Sequence, residues 1–196
     1  LNISKEESMT AFTTEKIDVE PWFDMELFMG VSQETRLGGD VMDRFMTLWK
    51  NWLPHLTVKG IDTGKIKYLL VALDESVEQD VDKAWEGSPS NAFLYNALAQ
   101  TMCMAAVHAV IPEVQDAGCA PAPKPTATLR EALEAEGIPY SNDKDPILSR
   151  RYAVVTHYPF KGGCEICVLQ SNCPKGQGQM EATSVVLPGY EHPQQM

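Results

Sequence analysis

Residues 91–111 are apolar on nearly every face of a helix, and Ser88-Pro89-Ser90 on one side and Pro112 on the other bound them. A helix apolar all round has no face to give to water, so the remaining chain must be arranged around it. The stretch 92–111 carries Asn96, Gln100 and His108. These are poorly suited to a lipid-spanning helix, which needs about 20 mainly apolar residues. The reading is a central buried helix, with no membrane as partner.

The chain supplies enough material to cover such a helix. Its 196 residues, 44% hydrophobic and 22% charged, suit one compact domain, with or without a small appendage. Sixteen Lys and Arg stand against 27 Asp and Glu, a net charge of -11. A surface so acidic repels phosphate backbones and anionic lipid, which argues against nucleic acid as a general partner. The polar N-terminal stretch, with Lys5, Glu6 and Glu7, lacks the apolar core of a secretory signal. The chain does not begin with Met, so an upstream segment could have been removed. A cytoplasmic setting with reduced thiols is the default expectation.

Around the central helix, Val41, Phe45, Leu48, Trp49, Trp52 and Leu53 recur at steps of three and four, between an Asp40 cap and Pro54. That predicts an amphipathic helix. A shorter helix is expected over 21–31, ending near Gly30. Residues 65–85 are read as one helix, because Leu70, Leu73, Val77, Val81 and Ala84 form a continuous stripe; a buried strand at 66–73 is the alternative. Three alternate prolines (Pro121, Pro123, Pro125) make 119–125 an extended connection. Thr128 and Glu131 form a capping box for a helix closed at Gly137. Residues 152–158 are the best strand and 184–187 a weaker one. The expected fold class is mainly α: a helical domain with a central buried helix and a small β element next to a C-terminal cysteine-rich loop. The expected organisation is a helical body (1–118), then a segment packed on it (119–187) that holds the proline-rich connection, a short helix, the strand and the cysteine loop. A loose tail (188–196) follows.

The segment that asks for chemistry is Cys164-Glu165-Ile166-Cys167-Val168-Leu169-Gln170-Ser171-Asn172-Cys173-Pro174, a C-x2-C-x5-C pattern after Gly162-Gly163. Two thiolates two residues apart can turn onto one ion or one cluster face, and a third can return after a turn of chain. Five cysteines are too few and too unevenly spaced for a disulfide scaffold. A Cys164–Cys167 disulfide is the competing use of the pair, and reduced thiols argue against it. The fourth ligand is expected to be Cys119 in its proline-stiffened loop, with His157, seven residues before Cys164, as the alternative and Cys103 within the central helix as the third choice. A cysteine inside a core helix more often behaves as a small buried hydrophobe. Structural zinc usually shows two paired motifs, and the second pair is missing here, so a [4Fe–4S] cluster is favoured over zinc.

The spacing resembles the cluster loop of the helix–hairpin–helix DNA glycosylases, C-x6-C-x2-C-x5-C, with His157 in place of their first cysteine and Cys164, Cys167 and Cys173 following. It is also similar to the RecB-like iron-staple nucleases, in which a remote upstream cysteine, here Cys119, joins a C-x2-C-x5-C group. The resemblance spans about 20 residues. Neither the glycosylase Gly-rich hairpin with its downstream Asp nor a nuclease carboxylate–Lys motif is present, so it implies a cluster and no enzyme activity. No G-x-S-x-G, P-loop or H-E-x-x-H occurs either.

The remaining features read as structural. Lys144, Arg150, Arg151, Lys161 and Lys175 outnumber Asp145 and Glu165 near the cysteines. They read as counter-charges to a thiolate-bound centre before they read as a phosphate patch. His55, His108 and the nine Met residues are read as core or helix-end features. The functional expectation is a cytoplasmic iron–sulfur protein, in electron transfer or as a cluster-stabilised accessory protein, with a protein redox or docking partner. The alternative is a zinc-stapled protein- or nucleic-acid-binding module, whose docking aromatics would be Trp22, Phe23 and Phe28.

Overall fold

The computed structural model describes residues 11–142 and 146–173. The expected strand at 184–187 and the tail at 188–196 lie outside the described residues.

The mainly-α expectation is corrected by a four-stranded antiparallel sheet in the order β1-β2-β3-β4, which makes the fold mixed α/β. Strand β1 (Thr13–Lys16) pairs with β2 (Leu56–Asp62), which turns back into β3 (Lys67–Leu73). The β2–β3 turn is held where Thr63 N–H and its hydroxyl both donate to the Ile66 carbonyl, with Gly64 at φ 76°. Strand β4 (Ala153–His157) arrives far later in the chain and docks antiparallel on β3, Tyr68 opposite His157 and Ala72 opposite Ala153. The strand expected at 152–158 is thus present. It is one edge of a larger sheet, not an isolated element.

The single helix expected over 65–85 is instead strand β3 followed by a separate helix. From Tyr68 onward every residue of β3 is buried, because both faces of the sheet are covered. A strand buried on both sides reads as a continuous apolar run, and period alone does not separate it from a helix. The change of direction comes at Asp74, whose side chain accepts the Ser76 N–H at 2.9 Å and caps helix α3 (Glu75–Gly87). Val77 and Val81 of that helix are buried, so its apolar stripe happened to continue that of the strand.

One sheet face carries Leu69, Val71 and Leu73. Packed on it are α1 (Met25–Ser32), α2 (Gly39–Trp52), α3 and the central helix α4 (Pro89–Val110). Helix α4 is long and apolar enough to pass for a membrane span by composition. It buries Leu98, Met102, Ala106 and Val107 in this core and contacts the other three helices and strands β3 and β4. Each of the Leu, Met and Val side chains contributes about 1.5–3 kcal/mol on full burial. The opposite face carries Tyr68, Leu70, Ala72 and Val155 under Leu129, Ala132 and Leu133 of α6 (Ala127–Ala135).

Two caps differ from expectation. The N-cap of α2 is Gly38, which leaves Asp40 in its first turn. Helix α6 is capped by Thr126, whose hydroxyl accepts the Leu129 N–H at 3.3 Å, and not by Thr128. Its end is as read: Gly137 sits at φ 73°, Ile138 N–H bonds Leu133 C=O at 2.9 Å and Gly137 N–H bonds Glu134 C=O at 3.0 Å. That is the paired closure of a left-handed helix end.

Candidate metal centre

Four cysteines face one small cleft: Cys119, Cys164, Cys167 and Cys173, with Pro121 and Gly163 among its walls. Two separate stretches of chain build it. A short helix α5 (Glu113–Ala117) ends at Gly118, whose φ of 65° turns the chain into the proline-rich stretch that begins with Cys119. No helix or strand runs through 119–125, as three prolines there require.

Two hydrogen bonds hold that stretch. Thr156 of β4, 1% exposed, donates its hydroxyl to Pro121 C=O at 2.9 Å. Val168, in the middle of the cysteine loop, donates its N–H to Ala122 C=O at 3.0 Å. The sheet therefore positions the proline-rich stretch, and the stretch in turn holds the loop.

The loop is a pair of tight turns. Residues Cys164–Ile166 form a 3₁₀ turn in which Cys167 N–H donates to Cys164 C=O at 3.1 Å. A second turn, Gln170–Asn172, delivers Cys173. Gly162 enters the loop at φ 127°, and a Cβ there would collide with the Glu165 carboxylate, which accepts the Gly163 N–H at 3.0 Å. Glycine is the residue that fits. All four cysteines are partly buried, and none of the chain's five cysteines is in a disulfide. Among the described residues, no group of three or more His, Cys, Asp or Glu side chains is drawn together as a metal ion would require.

The other two proposed ligands lie elsewhere. Cys103 is 2% exposed, and its thiol donates to Tyr152 C=O at 3.5 Å. Burial pushes that thiol up to about 12, so it stays protonated. His157 does not line the cleft. Adjacent strand residues point to opposite faces, so the Thr156 hydroxyl that holds Pro121 and the His157 ring are on different sides. The His157 ring lies 5.4 Å from that of Tyr68. Burial first, then the charge of Lys161, lowers its pKa, and its Nδ1 is buried with no hydrogen-bond partner among the described residues.

The cations near the cysteines are partly spoken for. Arg151 spans both carboxylate oxygens of Asp82 at 2.7 and 3.1 Å, and Arg150 approaches Glu78 at 3.7 Å. Both pairs tie the entry of β4 to α3. Lys144, Asp145 and Lys175 lie outside the described residues. Of the aromatics considered for docking, Phe28 is fully buried and Phe23 packs on the core, whereas Trp22 is 70% exposed.

Sequence reasoning missed one polar cluster. His55 Nδ1 lies 2.6 Å from Asp74 Oδ2 and 3.2 Å from Ser76 Oγ. Hydroxyl and carboxylate meet the same ring nitrogen, whereas a nucleophilic triad needs them on opposite nitrogens. The cluster caps a helix. His55 just before β2 and Asp74 just after β3 were the available signal, and it is a weak one.

No protein-family model matches the chain, nor does any curated protein or solved structure.

Proposed function

We propose that this chain binds an iron–sulfur cluster through Cys119, Cys164, Cys167 and Cys173, and serves in electron transfer or as a cluster-stabilised accessory protein. The observation that carries the reading is the meeting of Cys119 with the three loop cysteines at one cleft, across a sequence gap of more than forty residues. A buried structural thiol resembles Cys103, sealed in the core with a raised pKa. The four cleft cysteines differ from it in being only partly buried.

The spacing in sequence favours a cluster over a lone zinc, because structural zinc usually shows two paired motifs and the chain has one C-x2-C. Zinc needs all four sulfurs at about 2.3 Å from one point. A cluster is wider, and each of its metals takes one thiolate, so the sulfurs stand further apart. Gly163, which has no side chain to hold the backbone away, and Pro121 are among the walls of the cleft. The environment of the sulfurs sets the potential.

The test is elemental. Protein isolated without oxygen should be brown and contain about four irons and four acid-labile sulfides per chain. A colourless protein with a single tightly held zinc would replace the cluster with the stapled module.

A further inference from the structure

We propose that Cys164 and Cys167 are also a reversible thiol–disulfide couple, which closes when no metal holds their sulfurs and blocks loading of the centre until it is reduced. The blocking half rests on the four-cysteine reading above; the disulfide half does not. The two residues are the ends of one hydrogen-bonded turn, Cys167 N–H to Cys164 C=O at 3.1 Å. Ends of such a turn lie within about 7 Å in Cα separation, and a disulfide spans roughly 4.4–6.8 Å. Both thiols line the same cleft and are partly exposed, so a small reagent can reach them.

The other pairings are worse placed. Cys173 is separated from Cys167 by a second turn, Gln170–Asn172. Cys119 is on the proline-rich stretch, pinned through Pro121 and Ala122. Closing either pair would have to move a hydrogen-bonded segment, whereas Cys164 and Cys167 are the two ends of a single turn.

The oxidant is a low-molecular-weight disulfide such as oxidised glutathione. One cysteine thiolate attacks a glutathione sulfur, forms a mixed disulfide and expels one glutathione thiolate, which takes up a proton. The second cysteine, losing its own proton, attacks the protein-bound sulfur and expels the other glutathione. The protein gives up two electrons and two protons, and one glutathione disulfide becomes two thiols. The oxidised pair offers no thiolates, so two of the four proposed ligands are withdrawn at once.

The experiment uses full-length, metal-free protein held without oxygen in oxidised glutathione, then quenched by alkylation and mapped by peptide mass. The expected product has lost the mass of two hydrogens, links Cys164 to Cys167, and carries the alkyl group on Cys119 and Cys173. Offered ferrous iron and sulfide, it should stay colourless until a dithiol reductant is added. In Cys167→Ser, Cys164 should instead stop at the glutathione adduct; in Cys173→Ser the internal disulfide should still form. A disulfide mapped to another pair, or none under excess oxidised glutathione, overturns the proposal even if the reduced protein takes up iron. A Cys164–Cys167 disulfide in a protein that, once reduced, takes up no iron supports the couple and sinks the cluster reading and the blocking role with it.

Discussion

Thr156→Val is the substitution that bears most directly on how the sheet positions Cys119. The hydroxyl is buried and donates to Pro121 C=O at 2.9 Å, and Pro121 is itself buried. Valine keeps the shape, removes the donor and sets a methyl against the carbonyl oxygen at a distance only a hydrogen bond permits. Leaving one buried partner unsatisfied costs about 1–3 kcal/mol. For a domain of this size each kcal/mol lowers Tm by roughly 2–4 °C. Urea titration of the metal-free protein should show that loss with an unchanged m-value. The loaded protein should also release its metal faster to a chelator, because the stretch that carries Cys119 has lost its anchor on β4. Thr156→Ser keeps the donor and should retain metal like the wild type, losing only the contribution of one methyl, about 1 kcal/mol or less. A Thr156→Val protein that melts within about 0.5 kcal/mol of wild type and holds its metal equally well would refute the positioning argument.

Three further outcomes follow from single contacts. Cys103→Ala should cost on the order of 1 kcal/mol of packing and leave metal content unchanged, and in the native protein Cys103 should resist alkylation at mildly alkaline pH, since burial holds its thiol up to about 12. Gly137→Ala should destabilise by about 1 kcal/mol through its φ of 73° alone, because a Cβ there meets nothing within 4 Å; thermal melts would show it. Burial tends to raise the Asp74 carboxyl, but hydrogen bonds from Ser76 and His55 outweigh it and the pKa is lowered from 3.8. A lowered native pKa gives stabilisation that is complete above the unfolded value and is lost as pH falls through the native one. Asp74→Asn should therefore flatten the acid limb of the stability profile below about pH 4, and an unchanged limb would rule that contribution out.

Where a helix has one wet face, its register was readable, as in α2, where Phe45, Trp49 and Trp52 are buried. The central helix was legible from its length and apolarity, but it keeps one partly wet side, where Phe93 and Gln100 are exposed. Strand β3 was not legible, because burial on both sides erased the alternation that marks a strand, and β2 and β1 went unrecognised. Their pairing is a tertiary event: Lys59 opposes Leu70 and Glu15 opposes Gly60, neighbours that no local window contains. In the site, the C-x2-C turn is local and was visible as spacing. That Cys119 faces the same cleft depends on Thr156–Pro121 and Val168–Ala122, contacts spanning 35 and 46 positions. The stiffness of the proline-rich stretch was visible; its address in the fold was not. His157 is a candidate ligand by its spacing and its place in the glycosylase-like pattern, but the pleat of β4 turns its ring to the face shared with Tyr68.

The central claim is that two stretches of chain supply one centre, with Cys119 as its fourth ligand. The most direct measurement is iron and labile sulfide per chain in Cys119→Ser and His157→Gln, each reconstituted beside the wild type without oxygen. The account predicts that Cys119→Ser loses most of its iron and sulfide while His157→Gln retains the wild-type content. Metal lost from His157→Gln and kept by Cys119→Ser would contradict it.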